Sequence, residues 1–281
     1  MTKSTFNILL VSITLLVGCS TSQNEEKNQN SNDISSDESP KEMLREAYQL
    51  FKEGKDSQSI AMANRVLEIG RAVNNDTLIG RALTSLCRNS QRTLDTNRLA
   101  VLSKELSALA ASSGNKKWLM YRAHQNAEMW RLVGNMDRAE RFYNESMKIS
   151  YETGAMGMYT IDHFNKSFVS IAKGDLDTAR ALIKKYNALR QDADPDSEDA
   201  YGLIALAYLL EQEKNYRGAH EVATVTRRLF KEQNLFPEPP DEKPLIQVET
   251  KVAEELDQAT RSEISEKSES LSVSDLLKKY L

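Results

Sequence analysis

Cysteine is nearly absent from this chain: Cys19 and Cys87 are the only two among 281 residues. A disulfide framework is excluded, so the fold must be held by its apolar core. Glycine is sparse as well, at 11 residues, and none forms a Gly-x-Ser-x-Gly elbow or a phosphate-cradling loop. The three histidines, His124, His163 and His220, stand far apart, with no HExxH and no closely spaced ligand pair. No catalytic residue, metal site or cofactor is expected from such a set. Beyond Val17 no apolar run approaches 18 residues, so no later segment is expected to span a membrane. Acidic residues outnumber basic ones, 41 to 37. That balance is poorly suited to neutralising phosphates, and nucleic acid is not an expected partner. Proline numbers six, and four of these fall within residues 237–244.

What is present begins at the N-terminus. Lys3, an apolar segment from Phe6 to Val17, and small residues behind it have the layout of a secretory signal over residues 1–18. The run Leu16-Val17-Gly18-Cys19 resembles the lipobox of bacterial lipoproteins. The resemblance implies cleavage before Cys19, lipid chains (palmitate among them) on its sulfur and new amine, and membrane attachment through that lipid. Cys87 is then left without an internal partner. Ser20 stands where an aspartate would hold such a protein at the inner membrane, which implies the periplasmic side of an outer membrane. An uncleaved anchor with a chance cysteine is the alternative. Residues 20–40 hold six Ser, four Asn, five acids and one large apolar residue, Ile34. They bury too little to offset the entropy of ordering, so residues 19–40 are expected to be a flexible tether.

From residue 41 the composition is helical, and the sequence repeats every forty residues. Gly134-Asn135-Met136-Asp137-Arg138-Ala139 recurs as Gly174-Asp175-Leu176-Asp177-Thr178-Ala179, with looser counterparts starting at Lys214, Leu94 and Gly54. Seven residues before each turn stand Ala47, Cys87, Ala127, Ser167 and Ala207, all small. Eight after it stand Met62, Leu102, Phe142, Leu182 and Val222, and seven further on Ile69, Leu109, Ile149, Leu189 and Leu229, all apolar. Small residues twelve apart across a turn let two antiparallel helices approach closely, and the apolar positions keep one face buried. Cys87 on a small-residue site reads as a packing thiol.

This pattern resembles the tetratricopeptide repeat over roughly residues 40–235. It departs in its period, 40 rather than 34, and in Leu99, which replaces a small residue in the second repeat. The resemblance implies an all-α, right-handed superhelical solenoid of about five helix-turn-helix repeats over 41–236. A Pro-rich linker is expected at 237–244. Leu245, Val248, Val252, Leu256 and Ala259 mark a capping helix over 245–262, with a tail to residue 281 that either frays or forms a short amphipathic turn. Asp192, Asp194, Asp196, Glu198 and Asp199 crowd around Pro195. Calcium is one explanation, but Ser197 and Leu203 stand where an EF-hand needs glycine and glutamate, and a helix start is the simpler one.

In the family the first helices of successive repeats line a concave groove. Mapped here, the groove residues are Arg81, Arg88 and Arg92; Tyr121, His124, Glu128 and Arg131; Ile161, Phe164, Phe168 and Ile171; and Tyr201, Ile204 and Tyr208. Such a groove, basic at one end and aromatic at the other, suits a peptide with an acidic portion. Lys166 and Ser170 also fall on inward sites, so Phe164 and Phe168 are equally well read as core, and the capping helix could itself fill the groove. The function implied is a monomeric, non-catalytic, lipid-anchored adaptor that binds envelope proteins or peptides. The alternative is a periplasmic sensor of a peptide or small molecule.

Overall fold

The computed structural model describes residues 39–194, 199–235 and 237–281, where all regular structure is helical. The signal, Cys19 and nearly all of the tether lie outside the described residues. Five antiparallel pairs follow one another: α1 (Pro40–Lys52) with α2 (Asp56–Ala72), α3 (Asp76–Arg92) with α4 (Thr96–Ser113), α5 (Lys116–Leu132) with α6 (Met136–Thr153), α7 (Met156–Ala172) with α8 (Leu176–Ala193), and α9 (Ala200–Gln212) with α10 (Tyr216–Glu232). Three more, α11 (Pro239–Glu255), α12 (Gln258–Ser268) and α13 (Val273–Tyr280), complete the described chain. None of these helices is long and apolar enough to cross a membrane.

The joints account for the period. Left-handed backbone recurs at Gly54, Asn74, Leu94, Gly114, Gly134, Gly154, Gly174, Lys214 and Asn234, so the true step is half the forty-residue repeat. A left-handed residue ends one helix. The next residue, in most joints, caps the following one: Asn75, Asp95, Asn115, Asn135, Asp175 and Asn215 each accept a backbone N–H from its first turn. The missing member of the series is Asp194, whose backbone is extended. Leu94 and Lys214 are costly members, because a Cβ disfavours left-handed backbone by about 1–2 kcal/mol, and Leu94 is also an apolar residue 52% exposed. Leu94→Gly is expected to raise stability by about 0.5–1 kcal/mol, an increase of a few degrees in Tm at roughly 2–4 °C per kcal/mol. Thermal circular dichroism checks this, and an unchanged Tm would mean the strain is relieved by neighbours.

The small residues do what their spacing requires. Ala47, Cys87, Ala127 and Ala207 in the first helices, and Leu99, Ala139, Ala179 and Ala219 in the second, are all 0% exposed. Ser167 and Ser59 are equally buried, and the Ser59 hydroxyl donates to the Ala47 carbonyl at 2.7 Å across the first pair. Leu99 fits because it packs into a cluster with Cys87, Leu83 and Leu106. Burial pushes the Cys87 thiol up to about 12, in keeping with a packing role. Between repeats, Gly80 lets α3 meet the Trp118 ring of α5, where a Cβ would stand only 2.7 Å from ring carbons.

Successive first helices touch one another, α1 with α3, α3 with α5, α5 with α7 and α7 with α9, whereas successive second helices up to α10 make no comparable contact. The first helices therefore form the inner, concave face. The apolar core is not continuous along it. One cluster joins α1 to α5, another joins α7 to α11 and α13, and between them lies only a small group of Ala127, Ala139, Tyr143 and Val169. The middle of the solenoid is filled by buried polar side chains instead, including His124, Gln125, Glu128, Asp162 and Asn165.

The C-terminal region departs from expectation. Residues 237–244 are not a spacer: α11 starts at Pro239, and the capping helix runs to Glu255 rather than from 245 to 262. Pro239 and Pro240 occupy the first two helical positions, where N–H groups have no partner in any helix. Pro244 lies inside the helix and forfeits only one bond. Leu245, Val248 and Val252 are buried against the last repeat. The tail does not fray in this structure: α13 docks on α10, with Tyr280 and Lys279 hydrogen-bonded to Glu221 at 2.6 and 2.7 Å.

Candidate binding groove

The concave face holds a half-open cavity of about 520 Å³. One wall comes from α1, α3 and α5, with Tyr48, Phe51, Arg88, Tyr121 and Glu128. The opposite wall comes from α7, α8 and α9, with Phe164, Tyr186, Arg190 and Tyr201. The closing element is α11. It packs on α9 and α10, reaches across to touch α3, and places Glu238, Pro240 and Asp241 on the cavity surface.

Arg88 stands over the rings of Tyr48 and Phe51, 5.0 and 5.7 Å from their centroids. Among the described residues it has no hydrogen-bonded or ion-paired partner. A guanidinium held by aromatic faces keeps its fork of donors available for a carboxylate. Tyr121 lies beside it, its ring 6.1 Å from that of Trp118. Below them Gln91 and Gln125 hydrogen-bond at 2.6 Å, linking repeats two and three.

Deeper in, the acids and bases of α5 are already spoken for. Arg131 donates to Glu128 at 2.8 Å, the Tyr143 hydroxyl donates to the same carboxylate, and His124 meets Asp162 of α7 at 2.7 Å. Burial alone would push the Glu128 carboxyl up, but the charges of Arg131 and His124 outweigh it and hold it below its ordinary value. Burial likewise works against the His124 imidazolium, yet Asp162 and Glu128 leave its pKa raised. At the mouth the balance reverses. Burial pushes Glu238 up despite Arg92 and Arg88, and it raises Asp241 to about 7 despite Arg131. Neither carboxylate has a hydrogen bond or ion pair to an arginine among the described residues.

Of the residues mapped from sequence, Arg88, Tyr121, His124, Glu128, Arg131, Ile161, Phe164 and Tyr201 line the cavity. Arg81 is exposed on α3 outside it. Arg92 serves the scaffold, donating to the Phe51 carbonyl at 2.8 Å and lying 4.0 Å over the Phe51 ring. Phe168 is core, packed edge-on to Phe164 at 5.0 Å and against Tyr208 at 6.4 Å, so Tyr208 also sits behind the wall. Ile171 and Ile204 are fully enclosed in the same cluster. Phe164 is both, 7% exposed in the core and part of the lining. Repeat four tolerates Lys166 because its amine reaches Asn144 at 2.7 Å, while Ser170 is buried. In the acidic loop, residues 195–198 lie outside the described residues. Asp199 caps α9 and accepts from Arg190 and Tyr186, which commits its oxygens.

Sequence mapping missed Tyr48, Phe51, Gln91, Gln125, Tyr186, Glu238 and Asp241. Tyr48 and Phe51 had a signal: they stand one period before Arg88 and Gln91. Tyr186 comes from a second helix, and second helices carry no groove positions in the family pattern.

Comparison with family models and with curated protein sequences finds no match. Among solved structures the chain is similar to a thermophilic tetratricopeptide-repeat protein of Thermus thermophilus, with a TM-score of 0.52 at 16% identity, over 76% of this chain and 99% of that one. It also matches a Podospora anserina putative kinesin light chain with nearly identical tetratricopeptide-like repeats, with a TM-score of 0.47 at 15% identity, over 70% and 99%. The first likeness is one of fold: sequential antiparallel helix pairs forming a tetratricopeptide-like solenoid.

Proposed function

We propose that this chain is a non-catalytic adaptor that binds protein partners through its concave groove, tethered to a bacterial envelope membrane by lipid on Cys19. The observation that carries the binding role is Arg88, an arginine held over two aromatic rings, facing a cavity and lacking a carboxylate partner. Tyr121 and Tyr201 add amphipathic contact surface on either side. The Leu16-Val17-Gly18-Cys19 run supports the anchor and the outer-membrane, periplasmic-side location.

The test is crosslinking in intact cells followed by recovery of the chain. Arg88→Glu with Tyr121→Ala is expected to lose the envelope proteins that wild type captures while keeping its Tm. Equal capture by both would move recognition to the convex face. The cavity volume favours a second possibility, a sensor of a peptide or small molecule, since about 520 Å³ lies within the range of ligand pockets. Its mark would be a saturable rise in Tm with a low-molecular-weight ligand.

A further inference from the structure

The turn of α11 that closes the cavity has the chemistry expected of a groove ligand. Its sequence, Pro237-Glu238-Pro239-Pro240-Asp241, is acidic and proline-bearing, and it lies against the most basic part of the concave face. The rest of α11 is anchored differently. Leu245, Val248 and Val252 are buried on the last repeat, and Arg227 of α10 pairs with Glu249 at 2.7 Å. Pro244 separates these two parts. It has no N–H to give the Pro240 carbonyl, so the first turn is joined to the body of the helix by one hydrogen bond fewer. Unwinding residues 239–243 would break the partly exposed Arg227–Glu242 pair at 2.7 Å but expose no buried apolar side chain, because the buried residues of α11 begin at Leu245.

The turn is also an imperfect occupant. Glu238 and Asp241 approach Arg88, Arg92 and Arg131 without a hydrogen bond to any of them, and Glu128 of the wall repels both. A partner carboxylate free to reach Arg88 would form the pair that the tethered ones do not.

We propose that the first turn of α11 is an internal competitor, which covers part of the concave groove until an acidic peptide segment of a partner pairs with Arg88 and displaces it. This rests on the groove being the binding site. A ligand whose site is open in only a fraction of molecules binds more weakly by that fraction, so a groove about nine-tenths closed costs about tenfold in apparent affinity.

The probe is a fluorescent peptide of residues 235–243, titrated into the full-length chain. Reversing the charge of the turn, Glu238→Lys with Asp241→Lys, sets it against three arginines and should expel it. The probe is then expected to bind about tenfold tighter than to wild type, and adding Arg88→Ala should abolish that binding. Pro239→Gly with Pro240→Gly loosens the turn without adding charge and is expected to strengthen binding in the same direction, which guards against misfolding of the reversed variant. Equal affinity for wild type and both opened variants would overturn the competitor. No binding to the opened variants would overturn the acidic occupant, leaving the capture experiment to judge the groove itself. Tighter binding that survives Arg88→Ala would place the site outside the groove and overturn both.

Discussion

Glu128→Ala is expected to remove about 3–5 kcal/mol of stability, the range for breaking a buried ion pair from one side. The carboxylate holds Arg131 at 2.8 Å and takes the Tyr143 hydroxyl, and the Arg131 side chain is only 10% exposed. Without Glu128 the guanidinium keeps its charge in a site built around a neutralising partner, and Asp241 is the remaining acid acting on it. At roughly 2–4 °C per kcal/mol for a chain of this size, Tm should fall by about 10 °C. The diagnostic comparison is the double replacement Glu128→Leu with Arg131→Met. Removing both charges avoids the uncompensated one, so most of the loss should be recovered despite Tyr143 losing its acceptor. Urea unfolding of wild type, the single variant and the double variant measures the loss and its recovery. A single-mutant loss below about 1 kcal/mol would mean the pair is solvated and that the polar middle of the solenoid is not sealed.

Asp241→Asn is expected to stabilise the fold at pH 8 and to leave it nearly unchanged at pH 4. Burial raises the Asp241 carboxyl from 3.8 to about 7 in the fold, ahead of repulsion from Glu238 and Glu128. A raised acid favours the folded state below its unfolded value and loses that advantage as pH climbs through the folded value. Wild type should therefore lose stability between about pH 4 and pH 7, and the amide variant should not. Taken whole, a rise of that size corresponds to about 4 kcal/mol. The side chain faces the cavity and is only half-buried, so about 2 kcal/mol at pH 8 is the fair expectation. His124, also raised, tilts both proteins in the same direction above pH 6.5 and cancels from the comparison. Unfolding free energies at pH 4, 6 and 8 decide the matter; a gap that does not widen with pH would place Asp241 in contact with solvent. The neutral side chain should also seat the first turn of α11 more firmly.

The helix pairs are legible from residues whose role is local. A turn residue at 54, 94, 134, 174 or 214 and a small residue seven before it obey the chain's own periodicity, and backbone geometry enforces both. The half-step joints at Asn74, Gly114, Gly154 and Asn234 are equally present in the sequence, as a Gly or Asn in each case, but a search at the full period passes over them. The His124–Asp162 contact is not legible, because it joins different repeats through their relative twist, which no spacing encodes. Pro237, Pro239 and Pro240 point the wrong way. Proline marks the end of one helix and the start of another with the same letter, and only the acids and apolar residues that follow tell which. Cys87 is placed correctly by the sequence because its position in the period fixes its surroundings. Arg92 and Phe168 are misplaced because the same period cannot say how far a side chain leans toward its own neighbours.

The joints carry a consequence for how such a molecule could change length. Every block of forty residues begins and ends in the same phase, so duplicating one would add a helix pair in register with those around it. The last helices would travel outward with the added pair, while Tyr48 and Arg88 stayed where they are. A solenoid one unit longer would bring its C-terminal turn over Glu128 instead of Arg88, and one unit shorter would bring it over Tyr48. The number of repeats is thus a ruler: it sets which rung of the inner face the chain's own acidic turn can reach, and so which rungs stay open to something else.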